Sequence, residues 1–144
     1  MRGDAVSTDS PARPLPDVDG KMRPFWEAAQ RGELVLQRCA ECGAYRFPAA
    51  ECCSSCLEGR LAWTRVSGRG VVYSFVVIHH ALDPYFVQRV PYVVADVKLD
   101  EGPHMTTTIA DAAPSEVRIG DRVEVRFDDA SSTIRLPVFR RISA

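Results

Sequence analysis

Polar and apolar residues alternate from Arg122 to Phe127, with Val123, Val125 and Phe127 set against Arg122, Glu124 and Arg126. A period of two predicts a strand with one wet face. Runs rich in Val, Ile, Tyr and Phe recur at 61–66, 70–78, 92–99, 105–109 and 138–142. Turn signals separate them, among them Ser67-Gly68, Asp100-Glu101-Gly102-Pro103 and Ile119-Gly120-Asp121. Five or six short strands joined without long helices predict a small closed sheet, for which an OB-type barrel is the natural form.

The run 70–78 departs from simple alternation. Val71, Tyr73, Phe75 and Val77 fall on one face, and Val72, Val76 and Ile78 fall on the other with only Ser74 polar. A small barrel buries one face of a strand internally, so the other is expected to need a cover. That cover is either the N-terminal part of this chain or a second polypeptide, and left open it would mark an interface.

Upstream of the strands, residues 23–31 read as a short helix. Pro24 suits a first turn, Phe25, Trp26 and Ala29 form an apolar stripe, and Gly32 is a stop. So short a helix is not stable alone. Phe25 and Trp26 are therefore expected to dock, on the rest of this chain or on a partner. Residues 34–37 read as a strand leading into the first cysteine. Before the helix, Pro11, Pro14 and Pro16 stand among Ser, Thr, Asp and Gly, and residues 1–21 are expected to form a disordered leader.

Five cysteines lie between positions 39 and 56, and an odd, clustered set argues against a disulfide framework. Cys39-Ala-Glu-Cys42-Gly43 and Cys53-Ser-Ser-Cys56 form two C-x-x-C knuckles. Two-residue spacing lets both thiolates of a knuckle reach one ion, and Gly43 permits the tight turn that follows. Cys39, Cys42, Cys53 and Cys56 together make a tetrahedral site of the zinc-ribbon type. Such a site has no open coordination position, so one structural zinc is expected, with iron as the other ion this donor set accepts. Arg38 and Arg46 would offset the negative charge of four thiolates. Cys52 offers a C-x-x-x-C alternative with Cys56; Cys53 is preferred because the two knuckles then match, leaving Cys52 as a spare thiol.

Composition narrows the classes. Of 144 residues, 46% are hydrophobic and 26% charged, which suits a folded chain. Eighteen Lys and Arg against nineteen Asp and Glu give a net charge of −1, far from the basic balance of a general polyanion binder. No apolar run is long enough to span a bilayer. The leader lacks the apolar centre of a secretory signal, so a thiol-reducing, cytoplasmic setting is expected.

Candidate chemistry outside the cysteines is sparse. His79 and His80 follow the apolar strand and, with Asp83 and Tyr85, lie in a predicted loop. No nucleophile elbow, phosphate-cradling glycine loop or H-E-x-x-H motif accompanies them, so they read as a binding edge rather than a catalytic pair. Arg60, Arg65 and Arg69 form one basic group and Arg135, Arg140 and Arg141 another. These arginines would suit phosphate groups. They also keep open an alternative, a zinc-ribbon/OB module binding single-stranded nucleic acid.

Taken in order, the motifs resemble a known family. A helix with Phe25-Trp26 precedes the Leu-Gln-Arg-Cys-x-x-Cys-Gly run at 36–43, Phe47-Pro48 and the second knuckle. Gly-Arg-Gly-x-Val-Tyr-Ser-Phe at 68–75, Pro-Tyr-Val-Val-Ala at 91–95 and Leu-Asp-Glu-Gly at 99–102 follow. Ile-Gly-x-x-Val-Glu-Val at 119–125 and Leu-Pro-x-Phe at 136–139 close the series. This order is similar to that of the zinc-ribbon plus OB-fold proteins found beside thiolases. The resemblance implies a mainly β chain with a short N-terminal helix, a rubredoxin-like zinc ribbon and a C-terminal OB barrel, divided as 1–21, 22–60 and 61–144. It implies a non-catalytic accessory subunit of a thiolase-like enzyme, whether thiolase, acyltransferase or the aldolase that cleaves steroid side-chain acyl-CoAs. His79, His80, Tyr85, Arg69 and Arg140 are then the candidate contacts to acyl-CoA or partner, and Phe25 and Trp26 the candidate docking residues. The chain departs from the family pattern at Ser54-Ser55, at the extra Cys52, and at Met105-Thr106-Thr107-Thr108, where a more apolar strand is usual.

Overall fold

The structure is a computed structural model that describes residues 10–142. Residues 1–9 of the expected leader, and 143–144 at the other end, lie outside the described residues. From Ser10 to Asp19 the chain has no regular secondary structure, and a single 3-10 turn at Gly20–Met22 leads into helix α1, Arg23–Gln30. Pro24 sits in its first turn, where a missing N–H costs nothing, and Gly32 follows its end with φ +77°.

Three strands follow, β1 (Val35–Cys39), β2 (Tyr45–Arg46) and β3 (Leu61–Arg65), in a sheet of order β2-β1-β3. The 61–66 run, grouped with the barrel in the sequence reading, thus pairs with β1, Val35 opposite Arg65 and Cys39 opposite Leu61. Gln37, the buried polar residue of β1, accepts a hydrogen bond at Oε1 from the Ala50 N–H at 2.8 Å. Its burial is thereby compensated, and the ribbon loop is tied to the strand.

The second sheet contains β4 (Arg69–Ile78), β5 (Tyr92–Leu99), β6 (His104–Thr108), β7 (Arg122–Asp129) and β8 (Arg135–Arg141), in the order β6-β5-β4-β7-β8. A parallel bridge between Ile109 and Phe139 joins the two ends, so the sheet curls into a nearly closed barrel of the OB type. Gly70 makes the tight crossing possible: a Cβ there would overlap the carbonyl oxygen of Lys98 on β5.

The faces of β4 differ from the strict alternation expected of its sequence. Val72 lies opposite Val97, but Ser74 lies opposite Asp96, which makes Tyr73 the extra residue of a β-bulge. The bulge moves Tyr73 outward, and Phe75 and Val77 continue on the core side begun by Val72. Phe75 and Val77 therefore do not share a face with Val71 and Tyr73 in the way a period of two requires.

Helix, ribbon and barrel share one core. Phe25 of α1 and Leu34 and Leu36 around β1 belong to the same buried cluster as Val72, Val97, Val123 and Phe139 of the barrel. Phe25 also meets Trp26 edge-on at 5.1 Å and Phe47 at 5.5 Å between ring centroids. This aromatic group lets the short helix and the small ribbon bury apolar area that neither has by itself.

Candidate metal centre and surface sites

Two turns of matching geometry carry the four paired cysteines. In the first, the Gly43 N–H donates to the Cys39 carbonyl at 3.0 Å and the Cys39 N–H to the Ala44 carbonyl at 2.9 Å. In the second, the Leu57 N–H donates to the Cys53 carbonyl at 2.8 Å and the Cys53 N–H to the Glu58 carbonyl at 2.7 Å. Both turns need a left-handed residue after the second cysteine, supplied by Gly43 at φ +74° and Leu57 at φ +63°.

The turns bring the sulfurs of Cys39, Cys42, Cys53 and Cys56 within 4.8 Å of one another. Cys39 Sγ lies 3.5 Å from Cys56 Sγ, and Cys42 Sγ lies 3.6 Å from Cys53 Sγ. A tetrahedral zinc with bonds of about 2.3 Å calls for sulfurs about 3.8 Å apart, so the donor set fits one structural zinc. Cys39 and Cys53 are buried at the inner side of the cluster, with Cys42 and Cys56 toward the surface. Cys52 is exposed and stands outside the cluster.

The surroundings suit an electron-rich centre. Arg46 Nη2 lies 3.3 Å from Cys53 Sγ, and the Ser55 N–H points at the same sulfur from 3.4 Å. Arg46 foremost, with the Cys56 and Ser55 N–H groups, holds the Cys53 thiol down to about 5. The Glu58 N–H, directed at the Cys56 sulfur, works to lower that thiol, but burial and the neighbouring sulfurs push it up to about 12. Four thiols this close cannot all ionise without a cation between them, which is the electrostatic case for a divalent metal. Arg38, the other expected neutralising residue, instead donates Nε to the Gly43 carbonyl at 3.2 Å and lies over the Tyr45 ring. It braces the first turn.

The candidate surface contacts separate into two groups. His79 and His80 are exposed just past the end of β4, and Tyr85 lies in α2, Pro84–Val87. This one-turn helix stands where the sequence predicts a loop. Its signal was the Asp83-Pro84 pair: Asp83 Oδ1 accepts from the Tyr85 N–H at 2.8 Å, capping a turn that opens with proline. Arg69 opens β4, roughly 30 Å from His79 at about 3.3 Å per strand residue. Arg69 pairs in register with Glu124, and Arg140 donates Nε to the Glu124 carboxylate at 2.9 Å. His79, His80 and Tyr85 thus lie at one end of the barrel, and Arg69 and Arg140 at the other.

Of the two expected docking residues, Phe25 is 3% exposed and packs within this chain, the first of the two alternatives its sequence offered. Trp26 remains half-buried beside it. The outer face of β4 has no cover among the described residues: Tyr73 is 57% and Val76 55% exposed. Sequence reasoning missed a third feature, the stacking of Arg89 on the Tyr85 ring at 3.5 Å from its centroid, because Arg89 stands alone in the sequence without a basic neighbour. No helix among the described residues is long and apolar enough to cross a membrane.

Comparison with known proteins accords with this architecture. Residues 26–62 match the rubredoxin-like zinc ribbon domain of ChsH2, and residues 63–128 match the C-terminal OB-fold domain of ChsH2. A probable enoyl-CoA hydratase alpha subunit of Thermomonospora curvata is 40% identical over 130 residues, which are 89% of this chain and 40% of that protein. The 3-oxo-4,17-pregnadiene-20-carboxyl-CoA hydratase alpha subunit of Mycobacterium tuberculosis is 37% identical over 122 residues, 78% of this chain and 38% of that one. The chain therefore spans about two-fifths of the length of these curated relatives. A chain of the solved Ltp2-ChsH2(DUF35) aldolase superposes with a TM-score of 0.80 at 37% identity, covering 88% of this chain and 98% of that one. With both domain models matched in order and a 37% identical relative covered almost end to end, the chain belongs to the ChsH2 (DUF35) family of zinc-ribbon and OB-fold proteins.

Proposed function

We propose that this chain is a non-catalytic accessory subunit of a thiolase-like enzyme, and that the complex cleaves a carbon–carbon bond in a steroid side-chain acyl-CoA. The observation that carries this reading is the match, over 98% of its length, to the ChsH2 chain of an aldolase named for two components. The name of the Mycobacterium tuberculosis relative, which is a steroid acyl-CoA hydratase subunit, supports the substrate class.

The residues support an accessory role in their own terms. Cys39, Cys42, Cys53 and Cys56 would hold the zinc with no coordination position left for a substrate. The metal then stabilises the ribbon, and the ribbon fixes α1 and β3 against the barrel. Tyr73 and Val76 on the outer face of β4 present apolar surface of the kind that interfaces bury. His79, His80 and Tyr85, at the same end of the strand, would meet the enzyme or the acyl-CoA bound to it. Arg69 and Arg140 at the far end belong to a second contact area. The zinc-thiolate centre suits a thiol-reducing cytoplasm.

Co-expression with a thiolase-like protein of the same organism tests the reading. A stable complex with acyl-CoA cleavage that neither chain shows alone is expected. Separate migration of the two chains with unchanged enzyme activity would overturn it.

A further inference from the structure

One edge of the barrel sheet is unfinished. The Leu99 N–H bonds the Pro103 carbonyl at 2.9 Å, which sets the phase of the β5–β6 ladder. In antiparallel pairing the bonded residues alternate, so Met105 and Thr107 bond inward to Val97 and Ala95. His104, Thr106 and Thr108 then turn their main-chain N–H and C=O groups away from β5, toward the open side. The next strand around the barrel is β8, and among the described residues it meets this side at the lower end of β6, through the Ile109–Phe139 bridge, the Ala110 N–H to Phe139 carbonyl bond at 2.8 Å, and the Thr107 Oγ1 bond to the Pro137 carbonyl at 3.1 Å. Pro137 has no N–H to offer. Among the described residues a seam therefore stays open along His104–Thr106 of β6.

Two hollows flank that seam, one on each face of the sheet. The inner one, of about 340 Å³, is lined by Phe25, Trp26, Phe47, Met105 and Leu136. The outer one, of about 380 Å³, is lined by Phe86, Tyr92, Val94 and the threonines of β6. Arg13 borders both, and its guanidinium lies 5.7 Å from the Tyr85 ring centroid that Arg89 also covers. Nine other arginines form ion pairs with carboxylates; Arg13 and Arg89, like Arg38, Arg46, Arg69 and Arg118, have no carboxylate partner among the described residues. Two guanidiniums without a carboxylate among the described residues, Arg89 donating to the Tyr85 carbonyl at 2.7 Å, thus stand at an apolar groove beside main-chain donors and acceptors for which those residues supply no partner.

We propose that an extended segment of the thiolase-like partner adds to β6 as a sixth strand of this sheet, an inference that rests on the accessory-subunit reading. An added strand sends alternate side chains to opposite faces, which matches an apolar hollow on each face of the seam. A carboxylate on that segment pairs with Arg13 and Arg89. A second copy of this chain fits poorly, because pairing two β6 edges would bring two Arg13–Arg89 pairs together. The threonine run at 106–108 suits the role: it keeps strand propensity on an edge that must remain soluble until it is covered.

Thr106→Pro removes one outward N–H and leaves the inward ladder intact, and Arg89→Glu reverses one charge on an exposed side chain. Both are measured, with zinc content and melting temperature, for affinity to the co-purified enzyme, alongside amide hydrogen exchange of the complex. At least a tenfold loss of affinity in each folded variant is expected, with at least tenfold slower exchange at His104, Thr106 and Thr108 in the parent complex. If Thr106→Pro does not fold, Arg89→Glu and the exchange data decide. Parent-like affinity in the folded variants without slowed exchange would overturn the strand-addition proposal and leave the accessory reading standing. Absence of any complex would overturn both. Slowed exchange in the isolated chain that grows with its own concentration would assign the edge to a second copy, and binding of oligothymidylate that Arg89→Glu abolishes would assign it to nucleic acid; either result overturns the proposal.

Discussion

Leu57 occupies in the second cysteine knuckle the place that Gly43 occupies in the first. Each follows the second cysteine, each donates its N–H to the carbonyl of the first, and each has a left-handed backbone, φ +63° and +74°. Glycine adopts this region freely, whereas a leucine there brings its Cβ against the following carbonyl oxygen at a cost of roughly 1 kcal/mol. Leu57 is 78% exposed, so packing returns little of that cost.

Replacing Leu57 by glycine should therefore stabilise the zinc-bound protein, by up to about 0.5 kcal/mol after the greater freedom of glycine in the unfolded chain is allowed for. Gly43→Ala should have the opposite effect, with a loss of about 1 kcal/mol. Melting curves of the zinc-loaded proteins check both signs.

Cys39→Ser or Cys56→Ser should abolish stoichiometric zinc and unfold the ribbon, since a structural zinc contributes on the order of 10 kcal/mol. Cys52→Ser should retain one zinc per chain, because Cys52 is exposed and outside the group of four sulfurs. Elemental analysis of the purified variants separates the two outcomes.

Arg46 lies 3.3 Å from Cys53 Sγ and is the foremost cause of that thiol's lowered pKa. Arg46→Ala should weaken zinc binding by about 10- to 100-fold, the usual scale for groups that orient metal ligands. Competition with a chromophoric chelator at neutral pH measures the change; unaltered affinity would show that the guanidinium only fills space.

Asp100 and Arg122 form a two-pronged ion pair at 2.9 Å per contact, which joins the end of β5 to the start of β7. Arg122 holds the Asp100 carboxyl below its ordinary value. A lowered folded-state pKa contributes stability above the unfolded value and loses it as pH falls through the folded one. Asp100→Asn should cost less than about 1 kcal/mol at pH 7, because both side chains are partly solvated. Denaturation of variant and parent side by side should show that difference shrinking as the pH falls below about 4.

Gly70 packs against the backbone of Lys98 and Leu99 on β5. Gly70→Ala should destabilise the barrel by about 1–3 kcal/mol, because the obstacle is a main-chain carbonyl rather than a yielding side chain. Urea denaturation followed by tryptophan fluorescence checks it.

What the sequence determined by itself was local. Helix α1 and the runs at 92–99 and 122–127 follow from periodicity and turn residues, and the two knuckles follow from two-residue spacing and Gly43. The family likeness was readable because its motifs keep their order. Tertiary structure decided the rest. Only pairing geometry revealed the bulge that turns Tyr73 outward, since a strand's sequence does not record which residue its neighbour skips. Leu61–Arg65 joined the ribbon because β1 offered it a full register of five residue pairs. Phe25 turned inward because the helix and the ribbon needed the barrel's core to bury their own aromatic residues. Arg13 and Arg89, far apart in sequence, met on Tyr85 beside the open edge of β6 only once the chain had folded. Contacts between distant positions depend on how the sheets curl and pack, and no local pattern encodes that.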